Sequence, residues 1–178
     1  MATDTRITIA PFTADDLAAH ARELGALLRA CVYDGASIGF VLPFTQDDGE
    51  AFWIDKVLPA VRAGMRALLV ARAGGRIVGT VQLDCDTMPN QCHRAEVRKL
   101  LVHPDARRRG VARALMVDLE RRAHDLGRNL LTLDTRTGDG AERLYASLGY
   151  ETAGVIPGYC RDTTEDRLDA TTIMYKTM

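Results

Sequence analysis

The stretch AEVRKLLVHPDARRRGVARALM, residues 95–116, breaks into three pieces with different chemistry. AEVRKLLV (95–102) has the composition of a strand, and His103-Pro104 interrupts it. From residue 110 to 126, Ala112, Leu115, Met116, Leu119, Ala123 and Leu126 recur on one face of a predicted helix, which Gly127 stops at its C′ position. Arg107, Arg108, Arg109 and Arg113 crowd the helix start, around the small residues Gly110 and Ala112. The first turn of a helix has N–H groups without intrahelical partners and carries the positive end of the dipole, so this turn has the makings of a phosphate site. Gly110 leaves the backbone open, Ala112 keeps the next inward position small, and the arginines add charge-assisted donors. An arginine run alone is equally well a solvated patch. Its position between a strand and an amphipathic helix, where mixed α/β sheets place ligands, favours the anion site. The spacing is neither a Walker loop nor G-x-G-x-x-G, which disfavours nucleotide triphosphates and dinucleotides.

Elsewhere the chain gives no reason for that much local charge. Its 178 residues are 47% hydrophobic and 26% charged, with 23 basic against 24 acidic side chains and a net charge of −1. This predicts one globular domain over 1–178 and no general attraction to nucleic acid or to anionic membrane. Aromatic residues make up 6% of the chain, without the stacking stripe of an RNA-binding face. No apolar run approaches the ~20 residues of a membrane span and the N-terminus lacks a secretory layout, so the expected address is the cytoplasm. The four cysteines form no C-x-x-C and read as free thiols. Cys85, Cys92, His93 and His103 fit no standard zinc spacing, and no metal is expected.

Upstream of the central stretch, RITIA (6–10) alternates like a strand. Thr13-x-x-Asp16 and Thr45-x-x-Asp48 are capping boxes, the first opening a helix to about Cys31, the second a helix kinked near Pro59. ALLVARA and RIVGTVQLDC are strands joined at Gly74-Gly75, a hairpin signal. Downstream, LLTLDT (130–135) is a strand, AERLYASL (141–148) a short helix, and YETAGVI and TTIMYK are two closing strands around a predicted loop 157–170. The order β-α-α-β-β-β-α-β-α-β-β requires a mixed α/β sheet.

The central stretch, followed by LLTLDT and AERLYASLGY, resembles the GCN5-related N-acetyltransferases, the GNAT family. The family's Arg/Gln-x-x-Gly-x-Gly/Ala motif falls on Arg107, Gly110 and Ala112. The resemblance implies a GNAT fold, with a mixed central sheet splayed between strands 4 and 5 and flanked by helices. It implies acetyl-CoA as cosubstrate, its pyrophosphate on residues 107–113 (Val111 included) and its pantetheine arm along the backbone of Leu100, Leu101 and Val102. DGASIGF, HRAEVRKLLV, LLTLDT, GVIPGYC and the terminal YKT are similar, over most of the chain, to members that give resistance to tabtoxin. That similarity points to a small, amino-acid-like or antimicrobial amine and to antibiotic resistance as a role. Two departures from the pattern are Ala112 at the third motif position and Gly138, where many members have asparagine.

Acetyl transfer to an amine needs a base for the amine, stabilisation of the oxyanion and support for the departing thiolate. Glu96 is a carboxylate inside a strand, uncommon enough to suggest a task, and the resemblance implies a general base there; a salt bridge to Arg94 or Arg98 is the structural alternative. Asp134, at the end of LLTLD, is the second candidate, or else the organiser of the following turn. The resemblance makes Tyr145 the proton donor to the thiolate, against a purely packing role. A backbone N–H near Leu100 is expected to polarise the carbonyl, with direct transfer and no acyl-enzyme. On the acceptor side, Ser37 is placed near the pocket and Tyr159 and Cys160 line it by resemblance. The acids of 157–170 (Asp162, Glu165, Asp166, Asp169) read mainly as a solvated loop. A monomer or homodimer is expected. The rival readings are a non-catalytic CoA-binding regulator, which has no need of Glu96 and Tyr145, and a serine hydrolase using Ser37 in Gly35-x-Ser-x-Gly39. The hydrolase elbow needs a strand before the serine and a helix after it.

Overall fold

The computed structural model describes residues 6–178. Among these residues seven strands form one sheet in the order β1-β2-β3-β4-β5-β7-β6, with β1 at Thr8–Phe12, β2 at Arg66–Ala73, β3 at Arg76–Asp84, β4 at Arg94–Val102, β5 at Leu130–Arg136, β6 at Glu151–Arg161 and β7 at Leu168–Thr177. Among the described residues only β4 and β5 pair in parallel; the other neighbours are antiparallel. The first strand begins two residues later than RITIA suggests and takes in Pro11, which an edge strand tolerates because it needs no N–H on its open side.

Both capping boxes form. Thr13 Oγ1 accepts from the Asp16 N–H at 3.1 Å and the Thr13 N–H donates to Asp16 Oδ2 at 2.9 Å, opening α1 (Ala14–Tyr33). Thr45 and Asp48 repeat the exchange to open α2 (Gln46–Ala51). The kink expected at Pro59 is a π turn over Phe52–Val57 leading into α3 (Leu58–Arg62); the proline supplies no N–H, and the wider turn delivers the chain to it. Gly74 and Gly75 close the β2–β3 hairpin with φ of 57° and 78°, the left-handed pair a two-residue hairpin requires.

The sheet has a core on each face. On one side Leu115, Met116 and Leu119 of α4 (Val111–Asp125) are completely buried against strand residues that include Leu83, Val97 and Leu131. Each such side chain contributes roughly 1.5–3 kcal/mol relative to exposure. Leu126, assigned to this face by periodicity, is 46% exposed, because it is already the C-cap as the chain turns through Gly127 at φ 68°. On the other side Leu17, Leu24 and Leu28 of α1 join Trp53 and Val57 over Leu68 and Val70.

The C-terminal strands are longer than the sequence suggests. Pro157–Arg161 and Leu168–Ala170, assigned to a loop, are strand, and residues 162–167 alone make the turn. Proline and glycine at 157 and 158 fit because β6 is the sheet edge and its pairing with β7 is irregular between Ile156 and Cys160, so neither residue must serve a regular ladder.

Candidate active site

The β3–β4 ladder runs in register from Asp84↔Glu96 to Gln82↔Arg98, then resumes at Thr80↔Leu101, so Val81 alone faces both Lys99 and Leu100. This bulge places Lys99, a non-glycine residue, at φ 50°, and Thr80 Oγ1 donates to its carbonyl at 3.3 Å. A bulge turns its strand out of line. Accordingly β4 pairs with β5 only from Arg94↔Leu130 to Glu96↔Thr132, and beyond that point a cleft of about 710 Å³ opens between the two strands. The sheet is thus splayed where the sequence placed the cofactor.

One wall of the cleft is the β4 edge from Val97 to Val102, and one end is the turn leading into α4. In that turn Arg108 and Gly110 both have positive φ, 61° and 80°. Gly110 is the N-cap of α4 and makes no side-chain cap, so the first-turn N–H groups have no side-chain acceptor there. A Cβ on Gly110 would meet nothing within 4 Å; the glycine serves the left-handed backbone rather than a tight contact. The arginines divide their tasks. Arg107 is ion-paired to Asp34 at the end of α1, and Arg113 Nη2 donates to Ser147 Oγ at 2.6 Å. Arg108 lines the cleft, whereas Arg109 is exposed and outside its lining. Gly138 has φ 85°, a conformation open to glycine and, among other residues, best tolerated by asparagine, so the departure from the family pattern preserves the backbone geometry.

Further along the cleft lie the three chemical candidates. Tyr145, on α5 (Gly140–Ser147), is 6% exposed, with its ring centroid 5.7 Å from that of Tyr150. Burial first, and the nearby charge of Asp134 second, push its phenol well above the ordinary tyrosine range. Asp134 is inside β5 rather than at its end, on the side opposite the buried Leu131 and Leu133, and it does not organise the following turn. Its carboxylate accepts a long hydrogen bond, 3.4 Å, from Thr171 Oγ1. Glu96 lines the cleft and also makes the salt bridge raised as its alternative: Arg98 Nε is 3.4 Å away, and Arg98 continues to Asp84 at 3.1 Å. Of the two carboxylates, Asp134 is therefore the less engaged by a cation.

Lys99 escaped the sequence reading, although a lysine between an arginine and two leucines inside a strand resembles the signal that singled out Glu96. Its Nζ donates to the Ile38 carbonyl at 2.7 Å and sits 5.6 Å and 5.7 Å from the ring centroids of Phe40 and Phe52. Burial chiefly, then Arg98, lower its pKa. Lys99 thus ties the strained bulge to the loop that carries Ser37.

The end of the cleft where the sequence places an acceptor is walled by residues 35–39 on one side and by Tyr159 and Cys160 of β6 on the other, with Ser37 Oγ 3.5 Å from Cys160 Sγ. Ser37 follows α1 and lies in a segment without strand or helix, which is not a nucleophile elbow. The acids of the predicted solvated loop are internally paired: Asp162, with its side chain 4% exposed, meets Arg136 at 3.2 Å and Arg167 at 3.0 Å, and Asp169 meets Arg167 at 2.9 Å. They do not form an acidic lure for an ammonium.

Comparison with known proteins finds chains and structures similar to this one. Residues 65–152, from β2 to the start of β6, match the model of the acetyltransferase (GNAT) domain. An uncharacterized N-acetyltransferase of Methanocaldococcus jannaschii is 34% identical over 95 residues, 52% of this chain and 42% of that protein. Another, of Azospirillum brasilense, is 35% identical over 105 residues, 57% of this chain and 60% of that protein. The chain therefore spans about half the length of these relatives. Among solved structures, yncA of Salmonella typhimurium, determined with its cofactor acetyl-CoA, superimposes with a TM-score of 0.76 at 20% identity, covering 97% of this chain and 94% of that one. The matched segment, the splayed β4–β5 pair and the left-handed turn before α4 fall in one region, and over residues 65–152 the chain is similar to the acetyltransferase (GNAT) domain.

Proposed function

We propose that the protein is an acetyl-CoA-dependent N-acetyltransferase for a small amine. The observation that carries this reading is that one cleft joins the Arg108–Gly110 turn to a buried tyrosine and two carboxylates. Residues 108–113 fit a pyrophosphate, and the β4 edge at Leu100–Val102, beyond the last β4–β5 pair, offers backbone partners to the pantetheine arm. When bound, acetyl-CoA supplies an acetyl group activated as a thioester.

The chain's own residues then have distinct tasks. Asp134 holds the acceptor ammonium and takes its proton, with Glu96, restrained by Arg98, as the supporting carboxylate. The backbone N–H near Leu100, turned by the bulge, polarises the acetyl carbonyl. Tyr145 places its hydroxyl at the sulfur. Its raised pKa makes it a weaker acid than a free phenol, so it acts as a hydrogen-bond donor that releases its proton only as the carbon–sulfur bond breaks. Transfer is direct, without an acyl-enzyme. The segments similar to tabtoxin-resistance members, DGASIGF and GVIPGYC, contribute the two walls of the acceptor end, which supports an amino-acid-like, antimicrobial acceptor.

The test is calorimetric titration with acetyl-CoA, followed by thiol release against amines, amino-acid analogues and peptides. Binding together with amine-dependent release that Tyr145→Phe lowers by about 10²-fold or more supports the proposal. Binding without turnover on any acceptor means a CoA-binding regulator. No binding overturns the reading, and ester hydrolysis lost in Ser37→Ala installs the hydrolase.

A further inference from the structure

Two segments far apart in sequence are stitched together across the acceptor end. Thr163, in the β6–β7 turn, is 3% exposed and bonds the 34–45 loop twice: its hydroxyl donates to the Ala36 carbonyl at 2.9 Å, and its carbonyl accepts from the Leu42 N–H at 3.1 Å. The Ser37–Cys160 contact adds a third tie. The turn that carries Thr163 is itself rigid. Asp162 Oδ1 accepts from the N–H groups of Thr164 and Glu165, both at 2.8 Å, while Asp162 Oδ2 is held by Arg136 and Arg167. On the opposite side Lys99 fixes the same loop through Ile38. The walls bearing Ser37 and Cys160 are therefore clamped at a set separation, and neither segment can swing aside without breaking buried hydrogen bonds.

We infer that Thr163 is a specificity-determining residue: by joining the 34–45 loop to the β6–β7 turn it closes the far side of the acceptor pocket, so that the acceptor is a compact amine and not the end of an extended peptide. This rests on the proposed acetyl transfer for its substrate but on the hydrogen bonds alone for its geometry. A peptide acceptor continues outward from its amine by about 3.3 Å per residue and needs an open channel between the walls.

The experiment compares the wild type with Thr163→Val, which keeps the shape and the backbone bond but loses the bond to Ala36, and with Thr163→Ser, which retains a hydroxyl. Thiol release from acetyl-CoA is measured with a series from ethanolamine and free amino acids to tetrapeptides. In parallel, alkylation of Cys160 by iodoacetamide and by a maleimide-bearing peptide is followed by mass mapping without any cosubstrate. The wild type and Thr163→Ser should use only the compact acceptors and admit only the small alkylating reagent. Thr163→Val should gain at least about tenfold in kcat/KM for tetrapeptides relative to amino acids, which corresponds to a 1.4 kcal/mol change in relative barrier, and admit the peptide maleimide, while its affinity for acetyl-CoA stays unchanged. A wild type that acetylates tetrapeptides as well as amino acids overturns the inference, as does labelling of Cys160 by the peptide maleimide in the folded wild type. If no amine of any size is acetylated, the proposed function fails, and the alkylation arm still decides whether Thr163 closes the pocket.

Discussion

Gly79 is where the sheet and the first turns of α4, at one end of the cleft, press on the same point. It lies in β3 opposite Val102, and a Cβ added there would stand 2.8 Å from the Leu101 carbonyl oxygen, 3.0 Å from Val111 Cγ1 and 3.1 Å from Leu115 Cδ1. The first contact is with backbone of β4 and cannot be relieved by a rotamer change. The other two belong to the first turns of α4, Val111 following directly on Gly110. Gly79→Ala must therefore push α4 off the sheet or bend β4, an overpacking cost of about 1–3 kcal/mol. For a chain of this size that lowers Tm by about 2–12 °C, at roughly 2–4 °C per kcal/mol. The same displacement moves the left-handed turn, so acetyl-CoA affinity should fall in parallel. Gly140→Ala is the control: at the start of α5 its Cβ would meet nothing within 4 Å and its backbone is not left-handed, so stability should hold or rise by up to about 1 kcal/mol. Urea unfolding of the three proteins and calorimetric titration with acetyl-CoA measure both effects. A Gly79→Ala protein as stable as the wild type, with unchanged affinity, would refute the claim that helix and sheet meet here without space for a methyl group.

The alkaline limb of the stability curve follows from the buried phenols. Tyr145 and Tyr150 both have raised pKa values in the fold, so below about pH 10 they are neutral in both states, and above it the unfolded chain ionises first and unfolding is favoured. Stability should fall by up to about 1.4 kcal/mol per pH unit per tyrosine above that point, and Tyr145→Phe should flatten the decline; an equally steep curve for this variant excludes Tyr145 as a contributor. Asp134→Asn should lower kcat/KM more than Glu96→Gln, because Arg98 already engages Glu96; the reverse order in steady-state assays would make Glu96 the principal base.

Much of this molecule could be read along the chain. The capping boxes at Thr13 and Thr45, the Gly74-Gly75 hairpin and the strand, turn and helix of residues 95–126 are local devices, set by a few neighbouring residues whose hydrogen-bonding preferences do not depend on the rest of the fold. The β6–β7 region was misread because Pro157 and Gly158 are loop signals unless the strand is known to lie at an edge, which is a property of the sheet. The bond from Lys99 to Ile38, the pairing of Arg107 with Asp34 and the bond from Thr163 to Ala36 all join residues far apart in sequence, whereas the restraint of Glu96 by Arg98, two residues along the same strand face, is local. Local chemistry in the sequence by itself determined most of the elements, their order and the arginine-rich turn before α4. Only the tertiary structure decided where β4 leaves β5, which side chains line one cleft and that Thr163 joins the 34–45 loop to the β6–β7 turn, because those depend on which strands and loops the folded chain brings side by side.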